Sequence, residues 1–155
     1  MRTLIFKVKL GYDRRVFRTI EAREGQTLDD LHWAIQEAYG FDGDHLYSYF
    51  MSGKPWDLSG PEYHHPEADT GDEAEARREM ARIRGKRLEP RLPATEAKLG
   101  SLGLRPRQRF LYLFDYGDEW VFEVEFVGEG ASEKGVRYPR IIDSRGESPQ
   151  QYDEE

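Results

Sequence analysis

The chain has 155 residues, of which 37% are hydrophobic, 13% aromatic and 34% charged, with a formal net charge of −7. A single domain of that length buries roughly two-thirds of its unfolded surface, and its aromatics must supply much of the core. An isoelectric point near 5.2 counts against bulk phosphate binding but leaves room for a local basic stripe. The absence of cysteine removes disulfides, thiolate-bound zinc and thiol catalysis. No apolar run approaches the ~20 residues of a membrane span.

Strand-like alternation begins at once with Leu4, Phe6, Val8 and Leu10 on one side and Lys7 and Lys9 on the other. That start leaves no signal peptide, so the expected location is the cytoplasm. Gly11 to Arg14 reads as a turn and residues 15–22 as a second strand, which together make an opening hairpin. Thr27 is a good N-cap for a helix over 28–39, with Asp29 and Asp30 in its first turn and Gly40 as its stop. Leu28, Leu31, Ile35, Ala38 and Tyr39 repeat at helical spacing. Leu46 to Met51 reads as a third strand. Hairpin, helix and strand in that order resemble the start of a β-grasp fold.

Residues 52–94 change character. Glycine, proline and charge dominate, and acids and bases spaced three or four apart predict a solvated helix over 72–84. This stretch is expected to be a partly helical excursion between core strands. A strand from Arg107 or Gln108 to Phe114 follows, then a turn, then a strand over 119–127. On the latter, Trp120, Phe122, Val124 and Phe126 alternate with Glu123 and Glu125. Gly128 to Gly135 reads as a polar loop. Tyr138 to Ile142 reads as an edge strand, because Pro139 cannot donate to a ladder. Asp153 to Glu155 reads as a frayed acidic tail. The fold class expected is α+β: one domain over 1–155, with a mainly antiparallel sheet, the opening hairpin, one packed amphipathic helix and a central Asp-Tyr-Gly-Asp hairpin.

That central turn, Phe114-Asp115-Tyr116-Gly117-Asp118-Glu119-Trp120, carries more charge than a corner needs. Clustered carboxylates bind a divalent cation or split into an acid and a base. They also cap turn amides, with Gly117 taking a positive φ. The spacing is not that of a calcium loop. His32, at the flank of the apolar stripe, and His45, before the third strand, are candidate partners for Asp115, Asp118 and Glu119. If they converge, a mixed nitrogen/oxygen metal site becomes available. His64-His65 lies in the irregular excursion and reads as a solvated loop. Phosphate candidates are Arg105, Arg107 and Arg109, which alternate before the central hairpin, and the run from Arg77 to Arg87, which is interleaved with acids. Walker, nucleophile-elbow, zincin and dinucleotide motifs are absent.

Three strings resemble the Ri-plasmid ORF-3-like family, whose members are plasmid and transposon passenger proteins. They are Leu28 to Ile35 with Phe41 and His45-Leu46; Leu99 to Trp120, above all the Asp115-x-Gly117-Asp118-x-Trp120 string; and Tyr138-Pro139-Arg140 with Gly146 to Pro149. The resemblance implies an α+β domain with a mainly antiparallel sheet and no established activity. Many members end in a Cys/Pro/Glu/Asp-rich segment; here Gly146 to Tyr152 has no cysteine. The expected function is a non-catalytic protein-interaction or accessory role of mobile-element type, with an unknown protein partner and no resident cofactor. The alternatives are a metal-assisted hydrolase of a phosphate-containing substrate, which needs a divalent cation, and a nucleic-acid-binding accessory factor.

Overall fold

A computed structural model describes residues 1–57, 60–68, 71–85 and 91–152, with backbone only at 71–74, 77 and 81. The opening hairpin is β1 (Arg2–Leu10) and β2 (Asp13–Arg23). Helix α1 (Leu28–Tyr39) starts with a capping box. The Asp30 amide donates to the Thr27 hydroxyl at 3.1 Å, and the Thr27 amide donates to the Asp30 carboxylate at 2.8 Å. Gly40, at φ 68°, ends it in the left-handed conformation that glycine adopts without penalty.

The remaining elements are β3 (Tyr47–Phe50), β4 (Glu62–His64), α2 (Gly71–Ile83), β5 (Arg91–Pro93), β6 (Arg109–Phe114), β7 (Trp120–Ala131) and β8 (Arg140–Arg145), with two short 3-10 turns between β5 and β6. The strands form one eight-stranded sheet in the order β5-β4-β3-β6-β7-β1-β2-β8. Among the described strands only β4 and β5 pair in parallel; every other neighbour is antiparallel. The fold is therefore α+β and sheet-dominated, with the expected opening hairpin, packed helix and central β6–β7 hairpin.

Helix α1 lies on one face of the sheet. Leu28, Leu31, Ile35 and Tyr39 join Phe6, Val8, Phe110, Tyr112 and Phe122 in a single buried cluster. Full burial of each such side chain is worth roughly 1.5–3 kcal/mol. Two phenols tie the helix to the sheet at its two ends. Tyr49 donates to the Leu28 carbonyl and Tyr39 to the Val8 carbonyl, both at 2.8 Å, so neither buried hydroxyl is orphaned. The opposite face carries ion pairs. There Lys9 Nζ is 2.9 Å from Glu125, and that bond, with the fields of Lys9, Arg109 and Arg107, outweighs burial and holds the Glu125 carboxyl below its ordinary range.

Several boundaries depart from the sequence reading. The 52–94 excursion contains two sheet strands, β4 and β5, as well as the expected helix. Each strand has three residues and β5 ends in proline, so neither leaves an alternating pattern. The α2 side chains that are described are exposed, and Glu79 pairs with Arg82. The pair Glu73–Arg77, the bases Lys86 and Arg87, and the acidic tail 153–155 lie outside the described residues or side chains. The expected loop at Gly128 starts as four more residues of β7, because a bulge between Ile5 and Phe6 lets β1 pair through to Ala131. The last strand does lie at an edge, but runs Arg140–Arg145.

Candidate functional site

The β6–β7 turn is five residues long, Asp115 to Glu119. Its left-handed residues are Asp115, at φ 64°, and Glu119, at φ 52°; Gly117 does not take the positive φ expected of it. Asp115 closes the turn with its side chain. One carboxylate oxygen accepts the amides of Gly117 at 3.0 Å and Asp118 at 3.3 Å, and the Glu119 amide bonds to the Asp115 carbonyl. The Asp115 amide donates to the Leu46 carbonyl, which docks the turn beside the segment carrying His45.

The second Asp115 oxygen faces His45, 3.6 Å from Nε2, and Asp44 lies 3.5 Å from the same nitrogen. The Tyr152 hydroxyl donates to Asp44 at 3.0 Å and sits 2.9 Å from His45 Nε2, so the imidazole is the donor of that second bond. Gln151 accepts the Asp42 amide at 2.7 Å and donates to Asp44. The C-terminal segment is thus strapped across the loop before β3. Burial, the bond to Asp44 and the fields of Asp44, Asp42 and Asp115 push the Tyr152 phenol up to about 12. The rim is strongly negative at that point.

Beside this cluster lies a cleft of about 610 Å³ lined by Gly11 and Tyr12, by Asp118 to Val121, and by Gln150 to Tyr152. It brings together the β1–β2 turn, the acidic turn and the C-terminal strap. The two turns are in direct contact. The Gly11 amide donates to the Val121 carbonyl at 2.8 Å, and a β-carbon on Gly11 would lie 2.6 Å from that oxygen. Only glycine permits this approach. Trp120 packs edge-on against Phe41 at 5.0 Å on its core side and faces Tyr12 at 6.3 Å on the other. Glu119 accepts the Trp56 indole N–H at 2.9 Å. Among the described residues the Asp118 carboxylate has no hydrogen-bond or ion-pair partner.

His32 belongs to a different environment. It is fully buried, with its ring stacked on Tyr47 at 3.9 Å and Nδ1 2.6 Å from the Tyr112 hydroxyl. Gln36 donates to that same hydroxyl at 3.0 Å. The Tyr112 proton therefore goes to His32 Nδ1, and the neutral ring carries its own proton on Nε2. Nε2 has no acceptor among the described residues. Burial, helped by His65, pushes the His32 pKa down to about 3. Tyr47, beneath the ring, donates to Asp29.

Of the sequence candidates, then, His45 and Asp115 meet, Asp118 and Glu119 line the neighbouring cleft, and His32 sits inside the core. Tyr12, Tyr152 and Asp44 join the site without having been singled out. Tyr12 is a turn residue at 70% exposure, and Tyr152 sits in an acidic, structureless stretch; no periodicity marks either. Among the described residues no group of three or more His, Asp or Glu is placed to hold a metal ion. Arg105 and Arg107 precede β6 in a loop, with Arg107 at φ 67°, so they do not line a strand face with Arg109. They border a separate hollow with Gly103, Pro106 and Gln108. Arg109 lies on β6, 3.4 Å from Glu123. His65 Nδ1 accepts the Glu67 amide, and His64 bonds to the His65 carbonyl.

A family model described as plasmid pRiA4b ORF-3-like protein matches residues 2–152. A crystal structure titled protein of unknown function MM3350 from Methanosarcina mazei Go1 shares the fold with a TM-score of 0.69 and 21% sequence identity, over 97% of this chain and 72% of that one. Among curated proteins no sequence matches. No described helix is long and apolar enough to cross a membrane.

Proposed function

The chain belongs to the plasmid pRiA4b ORF-3-like family, and from that premise we propose that it is a non-catalytic interaction module whose cleft at the Asp118–Val121 turn docks a protein partner. One observation carries the reading: three segments far apart in sequence converge there and present aromatic side chains outward. Tyr12 stands 70% exposed and Tyr152 46% exposed. Exposed aromatics over a polar rim are the usual anchors of protein interfaces. The hydrolase alternative needs two histidines at the acidic turn, and His32 is committed to Tyr112 and Tyr47 in the core.

The test is site-directed photo-crosslinking in cells, with a benzophenone amino acid at position 12 and, as a control, at position 83 on α2. A partner captured at 12 and not at 83 is then purified and its affinity measured. Tyr12→Ala weakens that affinity at least tenfold if the reading holds. Equal affinity of wild type and variant, or no partner specific to position 12, overturns it.

A further inference from the structure

The cleft's walls and rim specify what it receives. Resting on the docking role proposed above, we infer that the partner inserts a basic segment, with a lysine ammonium or arginine guanidinium seated between Tyr12, Trp120 and Tyr152. Two observations with different physical origins agree on this charge.

The first is the aromatic wall. The Tyr12 and Trp120 rings are 6.3 Å apart and tilted by 43°, an open V rather than a closed stack. Trp120 is backed by Phe41, so its position is fixed from behind, and Tyr152 lines the same cleft. Ring faces attract cations through their quadrupole, most strongly for tryptophan, within about 6 Å of the centroid. A guanidinium also stacks flat on such faces.

The second is the charge around that wall. Asp118 lines the cleft without a partner among the described residues, and Glu119 beside it uses one oxygen to accept from Trp56. Asp42, Asp44 and Asp115 act together on the Tyr152 hydroxyl. Among the described residues no lysine or arginine lines the cleft. The arginines that follow Tyr12 turn to other carboxylates, Arg14 to Glu123, which it shares with Lys9 and Arg109, and Arg15 to Asp13. An anionic ligand would meet uncompensated carboxylates, and a cation would neutralise them. The cleft's 610 Å³ exceeds one side chain and suits a short segment, in the size range of sites that bury most of a small ligand.

The experiment titrates the intact chain with N-acetyl-Arg-Arg-amide, N-acetyl-Lys-Lys-amide and N-acetyl-Glu-Glu-amide, and follows backbone and indole N–H signals by NMR. The basic peptides shift Gly11, Tyr12 and the Trp120 indole saturably. Binding weakens at least fivefold between about 0.05 and 0.5 M salt, as screening requires. Asp118→Asn and Tyr12→Phe are both expected to fold. Asp118→Asn weakens binding severalfold, and Tyr12→Phe, which keeps the ring, does not. The inference is overturned if the glutamyl peptide binds as well, if Asp118→Asn has no effect, or if no peptide shifts the cleft signals. A partner crosslinked at position 12 that docks through a neutral or acidic segment would overturn the charge assignment alone and leave the docking role standing.

Discussion

Two histidines flank Phe114, and they have opposite chemistry. His32 lies 6.1 Å from that ring on the core side, and His45 lies 5.9 Å from it at the rim. His32 has no solvent exposure, stacks on Tyr47 and accepts a hydrogen bond from the Tyr112 hydroxyl. His45 has a side chain 37% exposed and stands between Asp44 and Asp115. Both lie in strings through which the sequence resembles its family, and such a resemblance does not say what a residue does. Burial decides it: one imidazole is a structural acceptor, the other a polar group at the edge of a binding cleft.

The two histidines differ most under acid. The folded pKa of His32 is about 3, against an ordinary value of 6.5. The unfolded chain therefore binds a proton that the native state refuses. The stability owed to this group is complete above about pH 6.5 and is lost as pH falls toward about 3, at ~1.4 kcal/mol per pH unit in between. Urea unfolding of wild type and His32→Asn across pH 4–7 measures it. Asparagine retains an acceptor for Tyr112 without a titrating ring, so the difference in slope isolates the imidazole. At pH 7 His32→Asn is less stable than wild type by about 2–3 kcal/mol from lost packing. His45→Asn changes stability by less than about 1 kcal/mol, because water competes for its bonds. Equal pH slopes for wild type and His32→Asn would place His32 in contact with solvent.

Within the rim, the next largest effects come from the groups that shape the cleft. Asp115→Ala removes the acceptor of two turn amides and puts a β-carbon without a compensating bond at φ 64°. The expected loss is about 2 kcal/mol. Asp115→Asn keeps both the bond and the tolerance for left-handed backbone, and stays within about 0.5 kcal/mol of wild type. Gly11→Ala drives a methyl against the Val121 carbonyl and costs about 1–3 kcal/mol. That substitution also parts Tyr12 from Trp120, which NOE contacts between the two rings report. Retained contacts with unchanged stability would show that the turns are not wedged together.

Much of this fold was legible because it repeats. The alternation of Leu4 to Leu10 and of Trp120 to Phe126 marked β1 and β7, and Thr27 with Gly40 bounded α1 as observed. The placement of the candidate residues was less legible, because the contacts that fix it join residues about 80 to 110 apart: His32 with Tyr112 in the core, and His45 with Tyr152 and Gly11 with Val121 at the cleft. Helical spacing placed His32 beside the apolar stripe. It gave no sign that a tyrosine on β6 would supply a hydrogen-bond partner and make complete burial affordable. Nor did it show Tyr12 and Tyr152 meeting at one cleft.

The smallest predicted effect separates two accounts of the acidic turn. A glycine at the centre of a hairpin suggests that backbone freedom sets the corner. Here the left-handed angles belong to Asp115 and Glu119 instead, and a β-carbon on Gly117 would meet only the Asp115 carboxylate, at an ordinary 3.4 Å. Alanine at this position strains nothing and lowers the entropy of the unfolded chain, an effect of about 0.4–1 kcal/mol where the native angles suit it. Gly117→Ala therefore leaves stability unchanged or raises it by up to about 1 kcal/mol in urea unfolding, and it preserves the Tyr12–Trp120 contacts. A loss comparable to that of Asp115→Ala would mean that the glycine sets the corner. An unchanged or higher stability assigns the corner to the Asp115 side chain.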